Sequence, residues 1–357
     1  MSAKNSQIFF TEQLLAWNKK ANKRAMPWKF EKDPYRIWLS EIILQQTRVD
    51  QGMAYYNRFV EQYPDIKQLA EAPDTAVFKL WEGLGYYSRC KNLLSTARLI
   101  AGEMDGIFPD TYEGILKLKG VGPYTAAAIA SFAYNLPYAV VDGNVMRVLA
   151  RFFAIDTPVD SNEGKKLFAA LSMQLLKKGM AGKYNQAIMD FGATVCKPQI
   201  PLCHTCMLAE KCSAYKAQKV MDYPVKSKKI NKRIRFFYYV IASCKGKYFI
   251  RKRTEKDIWQ NLHEFILFEK DFQISPEALI HSAEFQKIAG ENAGIEKISV
   301  MYRQQLTHQT IQGYFIHMRL KKMLPVTGYG AVARKDLLTL AFPKFITGYF
   351  KELEGDF

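Results

Sequence analysis

Four cysteines crowd into one short stretch of this 357-residue chain, and they constrain what it can fold into more than any other feature. Cys196, Cys203, Cys206 and Cys212 read C-x6-C-x2-C-x5-C. The opening stretch, MSAKNSQIFFTEQLLAWNKK, has no apolar core of signal-peptide length and no small-residue cleavage site. No apolar run reaches the roughly 18 residues that a membrane span requires. The chain is therefore expected in the cytoplasm, where thiols stay reduced and such crowding means a metal centre rather than disulfides. A Cys-x2-Cys pair can bite one centre, and two further thiolates complete four ligands. Ligand count alone permits zinc or a [4Fe–4S] cluster. His204 lies inside the motif as a loop residue, while Cys90 and Cys244 stand apart.

The length suits two domains, and the texture changes once. Residues 1–215 read as all-α: apolar side chains recur at helical spacing over segments such as Ile8–Trp17, Ile37–Val49, Val145–Phe153 and Asn185–Cys196. Short Pro or Gly joints separate them. Residues 216–234 are rich in Lys and Arg and lack helical periodicity, as a tether or a segment lying along a polyanion would be. Residues 235–357 read as α+β. Phe236–Ser243 and Tyr248–Arg251 flank a hairpin turn, Ile311–Leu320 is another β-rich run, and Pro276–Ile288 and Arg334–Leu338 suit short helices. The net charge of +17 points to a polyanionic partner, because basic side chains gain affinity by releasing phosphate counterions.

Three further motifs carry chemistry. Leu118–Thr125, LKGVGPYT, places Gly120 and Gly122 before a helical run, as a tight turn that aims unpaired helix N–H groups at a phosphate would. This is a helix–hairpin–helix pattern near 117–131. About twenty residues on, Val140–Arg147 (VVDGNVMR) holds Asp142, which suits either a helix cap or a functional carboxylate. In PYRIWLSEIILQQT, Glu41 is flanked by Ile37, Trp38, Leu39, Ile42, Ile43 and Leu44, so the helix should be buried on nearly all sides. Lost solvation then raises the carboxyl pKa and suits Glu41 to general-acid work near neutrality.

The hairpin, VDGNV and the cysteine loop after FGATVC agree in order and spacing with the endonuclease III, or helix–hairpin–helix, glycosylase superfamily, which implies a [4Fe–4S] cluster on the four cysteines. Met26-Pro27-Trp28, the Glu41 helix and Trp81–Arg89 (WEGLGYYSR) narrow the resemblance to the MutY family of A/G-mismatch adenine glycosylases, closely over residues 8 to about 215 and more loosely beyond.

The resemblance implies double-stranded DNA containing A opposite 8-oxoguanine or guanine as partner, and a monomer acting on it at the nucleoid. It implies that Glu41 protonates the adenine, that Asp142 stabilises the sugar cation, and that Tyr124 and Asn144 position it. Trp28 and Gln186 match the base pocket, and Gln46 and Tyr86 match residues that enter the DNA helix, with Leu84 nearby as a further DNA-binding residue. Tyr124 stands where lyase relatives carry a Schiff-base lysine, which favours a monofunctional glycosylase. The second half would be a Nudix-like module reading 8-oxoguanine through Thr307 and His308. Its Trp259–Phe265 segment departs from the usual pattern at Asn261 and His263. It lacks the Glu-rich metal motif, so it is expected to bind rather than hydrolyse. A bifunctional lyase and a non-catalytic iron–sulfur DNA-scanning protein remain as alternatives.

Overall fold

The computed structural model describes residues 3–227, 232–290, 293–322 and 326–352. The chain divides into two compact units, Met1–Glu71 with Asn92–Lys229, and Ala72–Lys91 with Ile230–Phe357. Segment 72–91 falls by sequence in the helical half, yet it packs as part of the second unit.

The first unit is all-α. It contains α1 (Ala3–Lys20), α2 (Pro34–Leu44), α3 (Val49–Gln62) and α4 (Ile66–Glu71). Helix α5 (Asp74–Trp81) belongs to the second unit, and the boundary falls within α6 (Tyr87–Glu103). Then come α7 (Tyr112–Leu116), α8 (Pro123–Tyr134), α9 (Gly143–Phe153), α10 (Asn162–Leu175), α11 (Ala181–Thr194) and α12 (Ser213–Lys216). Phe10, Leu14, Val148, Leu149, Phe168 and Phe191 form one core that holds α1, α9, α10 and α11 together. Helix α8 buries Ala126, Ala127, Ala128 and Ala130, and these small side chains let it pack against α2, α7 and α11.

The local chemistry sets where these helices begin. Asp33 accepts from the Tyr35 N–H and Pro34 occupies the first turn, so α2 starts there. It ends at Leu44 rather than running on to Val49, because Gln46 adopts a left-handed φ of 57°. Gly120 has φ 81°, and a Cβ there would lie 2.9 Å from Asn92 Cβ, so the hairpin between α7 and α8 needs glycine at that point. Gly122 caps α8 without a side-chain bond, which leaves the first N–H groups of the helix open. At Gly192 a Cβ would lie 2.8 Å from Asn144 Cβ, so this glycine is what lets α11 reach the start of α9.

Of the expected basic tether, residues 228–231 lie outside the described residues. The described part does not hang free. Val159 N–H donates to the Val225 carbonyl, Ser227 bonds Asp160, and Arg151 Nε donates to the carbonyls of Val220 and Tyr223.

The second unit is α+β, a seven-stranded mixed sheet in the order β4-β6-β1-β3-β2-β7 with β5 also on β6. The strands are β1 (Arg233–Cys244), β2 (Lys247–Lys252), β3 (His263–Lys270), β4 (Ala293–Ile298), β5 (Tyr302–Gln305), β6 (Gln309–Leu320) and β7 (Gly330–Ala333). Strands β1 and β6 run parallel and the other pairs antiparallel. The hairpin between β1 and β2 turns on Lys245 and Gly246, both with positive φ, as a two-residue primed turn requires. One face of β1, with Tyr238, Val240 and Ala242, packs against Leu279 of α13 (Pro276–Ile280) and Phe285 of α14 (Ala283–Ala289). On the other face Tyr239 packs against Phe345 of α16 (Lys344–Glu352), and Phe315 of β6 stacks on Tyr349. Burial on both faces explains why FFYYVIAS reads as one continuous apolar run. The expected helix over Pro276–Ile288 is split, because Ser282 caps a new start by accepting from the Phe285 N–H. Helix α15 (Arg334–Leu337) is a single turn.

Candidate active site

Helices α2, α8, α9 and α11 of the first unit converge on a cavity of about 670 Å³. That is room for a nucleobase with part of its sugar. Its lining includes Glu41 of α2, Tyr124 of α8, Asp142 and Asn144 at the start of α9, Trp28, and Gln186 of α11. Glu41 is 7 % exposed, in a helix whose residues Ile37 to Ile43 are all buried. Burial pushes its pKa up to about 7; the Tyr124 hydrogen bond opposes that rise, and the charge of Asp142 adds to it. Burial and the two facing carboxyls push the Tyr124 phenol well above its ordinary value.

Asp142 is both a helix cap and a wall of the cavity. Its Oδ1 accepts from the Val145 N–H at 2.7 Å, and its Oδ2 accepts from Asn144 Nδ2 at 2.7 Å. Asn144 Oδ1 in turn accepts from Arg147 Nη2 at 2.8 Å. Arg147 also donates to the carbonyls of Gly192 and Cys196, so the chain of bonds from Asp142 ends on the cysteine loop. The carboxylate is thus fixed by two donors while remaining on the cavity wall, an arrangement suited to facing positive charge.

The four thiols of Cys196, Cys203, Cys206 and Cys212 line a second, small cavity of about 30 Å³. That is more than a single water-sized occupant needs. Among the described residues no three metal-binding side chains converge tightly enough to hold one ion. Four thiols around one space are a donor set for either zinc or an iron–sulfur cluster. Burial pushes the Cys206 thiol up to about 11 and raises Cys203 and Cys212, so thiolates here call for a positive centre among them. Arg151 brackets the loop. It donates to the carbonyls of Lys197 and Pro198, and its Nη1 lies 3.5 Å from Cys196 Sγ. Lys211, beside the last cysteine, stacks its ammonium on the Phe9 ring.

A model of the HhH-GPD superfamily of base excision DNA repair proteins matches residues 39–175, which span Glu41, the hairpin and Asp142. The adenine DNA glycosylase of Buchnera aphidicola subsp. Baizongia pistaciae is 33% identical over 309 residues, covering 85% of this chain and 84% of that protein. The chain belongs to the adenine DNA glycosylase family. The human adenine DNA glycosylase is 41% identical over 214 residues, covering 57% of this chain and 39% of that protein. A solved thermostable thymine-DNA glycosylase is similar with a TM-score of 0.56 and 28% identity, over 61% of this chain and all of that one. The helix–hairpin–helix glycosylase fold is therefore shared with a solved enzyme.

In this adenine glycosylase family member the other sequence-derived residues fall in both units. Gln46 is exposed at the edge of the first cavity. In the second unit Tyr86 is 41 % exposed with φ 48°, whereas Leu84 is 6 % exposed. The Leu84 side chain is thus buried, whereas that of Tyr86 is presented to solvent. Leu306, Thr307 and His308 form the tip of the hairpin between β5 and β6, closed by the Leu306 N–H on the Gln309 carbonyl. Thr307 and His308 are exposed, and the Tyr86 hydroxyl meets the Thr307 hydroxyl.

The sequence reading missed Asp190. Its carboxylate is fully buried and accepts from Arg24 Nη1 at 2.9 Å, Asn22 Nδ2 at 2.7 Å and Gln186 Nε2 at 3.0 Å, with Lys29 Nζ at 3.1 Å. It fastens the segment before α2, which carries Trp28, to the helix that carries Gln186. The i, i+4 spacing of Gln186 and Asp190 was the one available signal.

Proposed function

We propose that this enzyme hydrolyses the N-glycosidic bond of adenine opposite 8-oxoguanine or guanine in DNA, without a lyase step. The observation that carries the reading is Glu41, a buried carboxyl pushed up to about 7 in a nucleobase-sized cavity that Asp142 also lines. An adenine can reach such a cavity only by leaving the base stack. Glu41 then gives its proton to adenine N7, so the C1′–N9 bond breaks with a neutral base as leaving group. Positive charge builds on the sugar and is met by the Asp142 carboxylate. Water adds to C1′ and releases a proton, leaving adenine and an abasic site. Tyr124 holds Glu41 by its hydrogen bond, and Asn144 holds Asp142.

Cys196, Cys203, Cys206 and Cys212 would hold a [4Fe–4S] cluster, which braces the loop against α9 when bound. The open N–H groups behind Gly120 and Gly122 suit a phosphate, and the strong positive charge suits the duplex. Gln46 and Tyr86 would enter the helix, and Thr307 and His308 would read the opposite base. Tyr124 gives no amine for a Schiff base; the lysines on the cavity lining, Lys32 and Lys183, are exposed.

Time-resolved base release from duplexes with A opposite 8-oxoguanine, guanine and thymine tests the reading. Rapid release from the first two and none from the third is expected; equal release from all three refutes the mispair specificity. Efficient borohydride trapping on abasic DNA would refute the monofunctional assignment.

A further inference from the structure

The second unit holds a two-residue clasp that no motif announces. Glu82 follows the last residue of α5, immediately before the turn Gly83–Tyr86. Its Oε1 accepts from the Phe342 N–H at 2.8 Å, and its Oε2 accepts from Lys79 Nζ at 2.9 Å. Lys79 Nζ also donates to the Leu340 carbonyl at 3.0 Å. The Ala341 carbonyl between them accepts from the His263 N–H at the start of β3, and the Phe342 ring stacks on Phe265. The Leu340 carbonyl and the Phe342 N–H thus face α5, while the Ala341 carbonyl faces β3. Residues 340–342 therefore bind the sheet by one edge and α5 by the other.

The turn beyond Glu82 is held to the same helix. The Trp81 indole N–H donates to the Gly85 carbonyl, and the Gly83 N–H donates to the Tyr87 hydroxyl. Arg89 donates to the Gly85 carbonyl, and its guanidinium lies over both the Trp81 and Tyr86 rings. Any displacement of Glu82 thus carries Tyr86 with it. Tyr86 meets Thr307, which rides on β5 and β6 of the sheet that anchors residues 340–342.

We infer that Lys79 and Glu82 are positioning residues that keep Tyr86 in register with the Leu306–His308 tip, and so set how strongly the base opposite adenine is discriminated. This rests on the proposal that the second unit reads that base. With the clasp intact, one aromatic and one hydroxyl are presented at a fixed spacing. Without it, the opposite base meets two independently placed groups, and a single extra oxygen is read less well.

The test uses the full chain with Glu82→Ala, Glu82→Gln and Lys79→Met, and single-turnover adenine release from duplexes with 8-oxoguanine or guanine opposite. Glu82→Ala is expected to lower the 8-oxoguanine-to-guanine rate ratio by about fivefold or more, a loss on the scale of one buried hydrogen-bonding group, while release opposite guanine stays within about twofold. Glu82→Gln keeps an acceptor for the Phe342 N–H and should restore part of the ratio; Lys79→Met should lower it as well. Hydrogen exchange at the Phe342 amide should quicken at least about tenfold in Glu82→Ala, with amides of β1 unchanged. A ratio that survives in Glu82→Ala despite a freed Phe342 amide would overturn the inference, as would an amide that stays protected. A wild-type chain showing no preference for 8-oxoguanine would instead overturn the reading beneath it.

Discussion

Replacing Glu41 by glutamine should make the protein more stable and less active, and the stability gain should depend on pH. The carboxyl rises from an ordinary 4.5 to about 7 in the folded chain, first because it is buried. At 1.36 kcal/mol per pKa unit, that displacement amounts to about 3 kcal/mol of destabilisation once the group is ionised. The sign follows from which state sheds its proton first. Below about pH 4.5 both the folded and the unfolded chain hold it, and there is no penalty. Between there and pH 7 the unfolded chain ionises first and is favoured as pH rises. Above pH 7 the penalty is complete. Glutamine fills the same space, accepts from Tyr124 and cannot ionise. Glu41→Gln should therefore be about 3 kcal/mol more stable than the parent at pH 8 and less than about 1 kcal/mol more stable at pH 5. Urea unfolding followed by tryptophan fluorescence at the two pH values measures this, with equal slopes showing that the same surface is exposed. The same substitution should slow adenine release by about a hundred- to ten-thousand-fold, the range for losing a general acid. Equal stability differences at pH 5 and pH 8 would refute the raised carboxyl, and with it the proton source of the mechanism.

Asp190→Asn should cost about 3 kcal/mol in a thermal or urea melt, because Arg24 and Lys29 lose a buried anion, and adenine release should weaken with it. Gly120→Ala should cost about 1–2 kcal/mol from its left-handed φ and its approach to Asn92, and should weaken duplex binding in a fluorescence titration. Gly122→Ala, with φ −97° and open space beside it, should fold normally and serves as the control. Cys206→Ala should abolish the visible absorption of a bound cluster and lower the melting temperature of the purified protein.

What could be read in advance was whatever leaves a local signature. Glu41 sits in an unbroken apolar helix, so its burial follows from its neighbours in the chain. Gly120 declares a turn because few other residues tolerate its φ. Asp142 was ambiguous between cap and functional carboxylate, and the fold shows why the ambiguity was real: one oxygen caps α9, and the other is held by Asn144 on the cavity wall. The division into a helical and a mixed half was legible from periodicity. The membership of segment 72–91 was not, since α5 has an ordinary helical pattern whichever unit it packs with.

Leu84 shows the limit of turn chemistry. The glycines on either side announce a bend, but which side chain the bend buries depends on what packs beneath it. Polar contacts across long separations are harder still. Asp190 meets Arg24 across 166 residues, and Glu82 meets the Phe342 amide across 260. Neither leaves a periodic trace, since one buried acid satisfied by a distant donor looks in sequence like any solvated acid. Both do the same physical work: each fixes a segment that carries an aromatic side chain, Trp28 in one case and Tyr86 in the other. Neither acid lines the cavity, and each is satisfied by a donor far away in the chain, so an inventory of cavity-facing residues drawn from sequence passes over the groups that hold those aromatic segments in place.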